Sequence, residues 1–459
     1  MKRSLVAKFG LALMALLLVG QGCLPGGGGG AEGATTAPTT LTIWRVLDNE
    51  DAFDDIIGAY RASHPQVQIS YRKLRLEEYE GELVRALAEG RGPDIFSIHN
   101  TWVGEYASLM APAPETVTVL EPVATKGLQK KVTYEPTQKR IISVKQLKEQ
   151  FVEQVWRDVV RGEEEEIYAL PLSMDSLALY YNKDLLDEAG IPSPASNWEA
   201  FQTQVAALTQ FDSVGRIVRS GTALGRSDNV ERGVDVLQLL MLQNGTEFVD
   251  DRGRVTITEI PAALKETRTE SPALTATKVY TDFATPTTEV YSWNDSFEGS
   301  FEAFTSGQTA YFFGYNYHLS YIRAAAPKLN FGIAPAPQIE GADTANLASY
   351  WVEGVATASK NQNYAWDFVN FAASEQQAKT YLDATGKPTA HRNLIEGQLE
   401  DEYTGVFAKQ NLTARHWYTG GDVGVVEQAL KGLIDAVLVS RETGAQALNI
   451  LAKQIAQTY

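Results

Sequence analysis

Between Leu41 and Ile98 the chain switches twice from strand to helix, and this alternation restricts the fold more than any other feature. Leu41–Val46 reads as a strand. Phe53, Ile56, Ile57 and Tyr60 then recur at i, i+3, i+4 and i+7, placing a helix over 49–63 that Pro65 ends. Val67, Ile69 and Tyr71 alternate as a second strand. Leu76, Tyr79, Leu83 and Leu87 line one face of a second helix, closed by Gly90, and Gly92-Pro93-Asp94 turns into a buried strand ending at Ile98. A βαβαβ order predicts an α/β fold with a mainly parallel sheet and ligands at the carboxyl ends of its strands.

The residues ahead of this unit read as a targeting segment. Lys2, Arg3 and Lys8 form a positive start, and Phe9–Val19 is apolar but too short to span a bilayer as a stable helix. Gly20-Gln21-Gly22-Cys23 follows and resembles a lipobox, in which the thiol is acylated and becomes the new N-terminus. Cys23 is the only cysteine, so an intrachain disulfide is excluded. Residues 24–40, rich in Gly, Ala and Thr, are expected to be a flexible tether. Gly26–Gly30 is not a phosphate loop, because no strand precedes it and no helix follows.

Later segments keep the α/β alternation. Residues 111–150 carry several Pro, Lys and Arg without clear periodicity until Leu147, predicting an inserted surface loop and then a helix with Leu147, Phe151, Val155 and Val159 on one side. Glu163–Glu166 is a solvated turn rather than a metal site, because adjacent acids do not converge on one point. Ile167–Leu172 and Leu177–Tyr181 read as strands around Met174-Asp175-Ser176. Asn182 opens a helix that Gly190 stops, and Ser196 with Glu199 reads as a capping box for another. Tyr350–Ala356 reads as a strand, and Asp422–Val439 and Thr443–Tyr459 as closing helices.

Five stretches in order are similar to the bacterial extracellular solute-binding proteins of family 1. They are the segment from Glu166 to Trp198; Gly92-Pro93-Asp94-Ile95; Ser306-Gly307 through Gly314, with Tyr311 where Met is usual; Phe331-Gly332-Ile333-Ala334-Pro335; and Ala365–Phe371 followed by Thr385-Gly386-Lys387-Pro388. The resemblance spans about 41–459. It implies a two-lobed periplasmic-binding-protein-like fold of type II, each lobe a mainly parallel sheet flanked by helices. The expected division is a leader at 1–22, Cys23 and tether at 23–40, lobe one at 41–171 plus 355–411, and lobe two at 172–354 plus 412–459. Three hinge crossings are expected near Ser173–Ser176, Trp351–Gly354 and Gln410–Arg415, with the lobes closing on ligand.

The function so implied is that of the binding component of an ABC importer, taking a neutral carbohydrate, with an oligosaccharide expected. Flat aromatic faces stack on pyranose C–H faces, while planar polar groups pair with adjacent hydroxyls. Strand ends and crossings supply the candidates. Asp48 and Asn49 follow the first strand, Asn100 and Trp102 the third. Asp175 lies in the first crossing, where the family places a hydroxyl-binding acid. Tyr315, Asn316 and Tyr317 follow a buried strand, and Trp351 and Glu353 lie on the second crossing. Trp417 and Tyr418 occupy a loop that in the family sets an aromatic over the ligand. Trp44, Trp156, Trp198, Trp293 and Trp366 fall within strand or helix patterns and read as structural.

Other classes fit less well. A net charge of −17 disfavours nucleic acid and anionic membrane surfaces as partners. His64, His99, His318, His391 and His416 show no metal spacing, and neither a nucleophile elbow nor a nucleotide-binding loop occurs. No cofactor, metal or catalytic residue is therefore expected. The partners expected are a carbohydrate, the permease subunits of an ABC transporter and, through Cys23 alone, the membrane, with the protein a monomer on the extracytoplasmic face. A lipoprotein that signals to a membrane receptor remains an alternative, as does a carbohydrate-active enzyme, since paired carboxylates are a spatial rather than a sequential feature.

Overall fold

In a computed structural model the described residues are 38–124, 132–250 and 252–459. The leader, Cys23 and the tether up to residue 37 lie outside them. Thr39 and Thr40 already belong to β1 (Thr39–Arg45), so the folded body starts inside the segment expected to be tether.

β1, β2 (Val67–Lys73) and β3 (Ile95–His99) alternate with helices Asp54–Ser63 and Leu76–Ala88. Of the apolar stripes read from the sequence, Ile56, Ile57 and Tyr60 on the first helix and Tyr79, Leu83 and Leu87 on the second are buried, whereas Leu76, at the first turn of its helix, is exposed. β1 pairs parallel with both β2 and β3.

Thr116–Ala124 and Val132–Arg140 are strands rather than the expected loop. β4 (Thr116–Ala124) and β5 (Val132–Arg140) pair antiparallel along their whole length. Val117 and Val119 are buried beneath the hairpin, and helix Gln362–Ala372 packs against it. The single helix expected next is two, Val144–Gln150 and Glu153–Val159, separated by extended Phe151 and Val152. Ser143 and Gln146 form a reciprocal capping box on the first. The box expected at Ser196 is absent; Asn197 caps helix Trp198–Leu208 instead, its Oδ1 accepting from Ala200 N at 2.8 Å.

A small hairpin, β6 (Val160–Arg161) and β7 (Glu166–Ile167), leads to β8 (Ala169–Pro171) and then β9 (Asp175–Ser176). β10 (Ala178–Asn182), β11 (Gln210–Phe211), β12 (Ile217–Thr222), β13 (Thr309–Gly314) and β14 (Phe331–Ala334) build a second five-stranded sheet in the order β11-β12-β13-β10-β14. β15 (Asn346–Ser349) then returns the chain to β16 (Trp351–Val355), which completes the first sheet as β2-β1-β3-β16-β8. β17 (Ala414–Arg415) precedes helices Val423–Val439 and Gly444–Ala456. Each sheet has its own apolar core, one around Ile43, Phe96 and Trp366, the other around Phe201, Leu237 and Leu433.

The two-lobed α/β architecture is the expected one, but the second sheet is not mainly parallel as expected. In the first sheet β16 runs antiparallel to β3 and β8; in the second only β12 and β13 are parallel. The three passages of the chain between the sheets are tied by a small sheet of order β17-β15-β9. The middle passage is therefore Asn346–Ser349. Trp351–Gly354 lies already inside the first sheet, because its backbone pairs residue by residue with Phe96–His99.

Candidate functional site

The strand ends of both sheets meet around this three-stranded tie. On the first-sheet side β1 ends at Arg45, and Leu47 then adopts φ +66°, a left-handed conformation uncommon outside glycine. That turn delivers Asp48. Opposite it, Gly386 (φ +66°) ends helix Glu375–Thr385 and delivers Lys387. Lys387 Nζ donates to Asp48 Oδ1 at 2.6 Å and to Oδ2 at 2.8 Å, and Tyr381 OH donates to Asp48 Oδ2 at 2.6 Å. Arg45 lies 3.4 Å from Asp48 and 3.2 Å from Glu353, which also accepts from Ser97 Oγ at 2.7 Å. Burial opposes the Asp48 charge, but Arg45 and Lys387 together outweigh it and hold the carboxyl below its usual range. Glu353, more deeply buried, is pushed up despite Arg45. Arg45 Nη1 is buried without a partner. Asn49 stands apart from this cluster, exposed and bound to Lys73.

Beside the cluster is an aromatic wall. Trp351 pairs with His99 across the β3–β16 ladder, their rings 5.7 Å apart, and Trp102 meets Trp351 edge-on at 5.5 Å. Tyr79 supports Trp351 from behind at 6.0 Å. Both tryptophans are only half-buried, so each keeps surface for stacking. His99 spans Thr101 Oγ1 and Ser349 Oγ, and burial, helped by Arg232 and His416, drives its pKa well down, leaving it neutral.

Asn100 is engaged differently. Its Nδ2 donates to Asp158 Oδ2 at 3.1 Å and its Oδ1 accepts from Tyr350 N at 3.3 Å. Tyr350 OH and Gln154 Nε2 donate to the same carboxylate, and Gln154 also donates to His416 O. This buried knot uses both ends of the Asn100 amide, so Asn100 is a hinge support rather than a cleft-facing group. Asp158 is pushed up to about 7 by burial, which its three neutral donors offset only in part.

On the second-sheet side Asp175 accepts from Ser176 N at 2.9 Å and from Asn316 N at 2.8 Å, holding the start of helix Tyr317–Ala325. Burial pushes it up to about 7 against those N–H groups. Asn316 Nδ2 is buried and has no partner. Tyr315 is buried and donates its OH to Asp235 at 2.7 Å, while Tyr317, half-buried, stacks on His318 at 4.0 Å. Trp417 stacks on Phe248 at 4.1 Å and donates Nε1 to Gln238 at 2.8 Å. Tyr418 is a core residue, its hydroxyl accepting from Asp422 N, and its ring borders the cavity.

A narrow cavity joins the two sides, lined by His99, Thr101 and Ser349 facing Arg232, Asp235 and Trp417. Sequence reasoning missed Arg45, His99, Lys387, Arg232, Asp235 and Glu427. The signals were present for two of them: Arg45 ends the first strand, and Lys387 stands inside the quoted Thr385–Pro388 motif. At one rim the sides already touch. Gly104 packs directly against the carbonyls of Thr419 and Gly420, where a Cβ would collide, and Arg161 Nη2 donates to Thr419 O at 2.8 Å. The arrangement offers stacking faces and fixed polar groups. Among the described residues there is no group of three or more His, Cys, Asp or Glu placed to hold a metal, and no helix long and apolar enough to cross a membrane.

The sequence profile described as bacterial extracellular solute-binding protein matches residues 46–379. A galactooligosaccharide-binding protein of Bacillus subtilis is 19% identical over 77% of this chain and 73% of its own length. A probable ABC transporter-binding protein of Deinococcus radiodurans is 22% identical over 63% of this chain and 69% of its own. Among solved structures, a cyclo/maltodextrin-binding protein complexed with maltotetraose superposes with a TM-score of 0.70 at 18% identity, over 93% of this chain and 98% of that one. A maltose-binding periplasmic protein of Listeria monocytogenes in complex with maltose gives 0.68 at 17% identity, over 92% and 98%.

Proposed function

The chain belongs to the bacterial extracellular solute-binding protein family, and from that premise we propose that it captures a neutral carbohydrate in the cleft between its lobes and hands it to the permease of an ABC importer. Its place is extracytoplasmic, as the family implies. The observation that carries the carbohydrate reading is the pair Trp102 and Trp351, half-buried at adjoining strand ends beside the Arg45–Asp48–Lys387–Glu353 cluster. Stacking faces beside fixed donors and acceptors are what a pyranose edge requires. Relatives whose names and complexes include galactooligosaccharide, maltotetraose and mannotriose support the same class.

Ligand contacts are assigned to Asp48, Trp102, Trp351 and Glu353 from lobe one. Asp175, Asn316, Tyr317 and Trp417 supply them from lobe two. Asn49 sits at the exposed rim, and Tyr315 acts through Asp235. The lobe boundaries of this reading fall near residues 173, 350 and 413, in place of the expected 171/172, 354/355 and 411/412; the strand pairing of β16 with β3 supports the shift of the middle one. The protein works as a monomer, held to the membrane by a lipid on Cys23, and it releases its ligand unchanged. Thermal shift and calorimetry across a glycan panel test this reading. Stabilisation by RT ln(1 + [L]/Kd), about 2.7 kcal/mol at a hundredfold excess over Kd, is expected for one saccharide class. Release of a cleaved product would make the protein an enzyme instead.

A further inference from the structure

Arg232 is one of three non-glycine residues with positive φ among those described, at +54°, and it stands at the start of helix Gly233–Gln243. Such backbone persists where surrounding structure enforces it, and it gathers at ligand sites. Here it aims the guanidinium at the cleft. Nε and Nη2 both engage Asp235 Oδ2, at 2.7 and 2.6 Å, and Asp235 is itself buried and held by Tyr315 OH. Nη1 finds no acceptor among the described residues, the side chain is 33% exposed, and it lines the cavity.

Glu427, on helix Val423–Val439, lines the same cavity. No described residue donates a hydrogen bond to its carboxylate. It feels the Arg232 charge, yet the two do not close into an ion pair. The facing histidines, His99 and His416, are both shifted towards the neutral form, mainly by burial, and add no charge.

We infer that Arg232 and Glu427 bind one ligand hydroxyl between them, the guanidinium donating to its oxygen and the carboxylate accepting a hydrogen bond from its O–H, and so select a neutral polyol edge. This rests on the carbohydrate reading above. A hydroxyl is the group that both accepts and donates at one atom. A ligand carboxylate in that place would face Asp235 and Glu427, and a ligand ammonium would face Arg232, so both charged alternatives meet a like charge.

The test is calorimetry with maltotetraose, mannotriose and digalacturonate on the wild-type protein, R232Q, E427Q and the double variant. E427Q breaks no hydrogen bond or ion pair among the described residues, so its ligand-free melting temperature is expected to stay near the wild-type value even if R232Q loses stability. Each single change is expected to weaken the preferred neutral saccharide about tenfold or more, as loss of a charged partner does. The double variant should fall well short of the product of the two, because both act on one hydroxyl. Wild-type binding that both variants leave within about twofold, full multiplicativity, or a preference for digalacturonate overturns the inference alone. A wild-type protein that binds neither neutral saccharide nor digalacturonate overturns the carbohydrate reading and this inference together.

Discussion

Lys387 and Asp48 lie 339 positions apart in sequence, yet the ammonium sits 2.6 Å from one carboxylate oxygen and 2.8 Å from the other. This pair joins the end of β1 to the loop after helix Glu375–Thr385, at the rim of the cleft. Lys387 is also held charged, since Tyr381 and Asp48 outweigh its burial.

Lys387→Met is expected to destabilise the ligand-free protein by about 1–3 kcal/mol, the cost of leaving a buried charge short of a partner, and Arg45 tempers the loss. Because the Asp48 pKa is depressed on folding, its contribution is present above the unfolded value and is lost as pH falls through the folded one. Denaturant melts between neutral and strongly acid pH should show that loss in the wild type and a smaller one in the variant. An unchanged acid limb would remove Asp48 from the stability balance.

Asp158 and Asp175 titrate in the opposite sense. Each is raised from 3.8 to about 7, so the folded protein holds more protons than the unfolded chain between those values. Stability from these two groups is therefore greatest below about 4 and declines as pH rises to about 7. Asp158→Asn should flatten that decline in a series of melting temperatures, whatever its effect at a single pH. A variant profile parallel to the wild type would show that Asp158 does not titrate in this window.

Trp102→Ala and Trp351→Ala are expected to weaken saccharide binding by about 1–3 kcal/mol each, the usual cost of losing an aromatic anchor. Trp417→Ala should differ, because that ring also stacks on Phe248 and binds Gln238. It is expected to lower the ligand-free melting temperature as well as affinity, whereas Trp417→Phe keeps the stack, loses only the Gln238 bond and costs less stability. Calorimetry paired with thermal melts separates the two effects. Equal stability loss for all three alanine variants would mean that no tryptophan of the wall is free for ligand.

Cys23 is expected to carry lipid when the protein is recovered from the membrane fraction of its host. Intact-mass measurement should show an acylated chain beginning at that residue, and Cys23→Ala should release the protein. An unmodified chain in the medium would contradict the anchor.

The first lobe was legible because its strands and helices carry separate periodicities, and each apolar stripe had a single core to face. The β4–β5 hairpin was not. Pro122 and Pro136, with charges on both strands, mimic a loop, although a two-stranded ribbon tolerates proline where the N–H faces solvent. The alternation of Val117 and Val119 was the signal. Positions at strand ends marked Asp48 and Trp102 as site candidates, since topology alone puts strand ends at the cleft; Trp351 was marked instead by its expected place on a crossing, which proves to be the first residue of β16. Asp235 and Glu427 lie on helices of the second lobe and Arg232 on the turn that starts one of them, and nothing local marks such a charge as facing a cleft. Asn100 misled for the complementary reason: its strand-end position was right, but its partner Asp158 lies 58 positions away.

The placement of β16 between β3 and β8 has a consequence for how the molecule is made. Ser97 and Glu353, hydrogen-bonded neighbours in the finished sheet, are separated by 256 positions. While the intervening chain emerges from the ribosome, β3 shows an unpaired apolar edge that no nearby segment can cover. Such long closures slow folding and lengthen exposure to aggregation. The first lobe, begun earliest, is completed only after the second has had its chance to fold, so a chain cut short before residue 355 leaves that edge permanently bare.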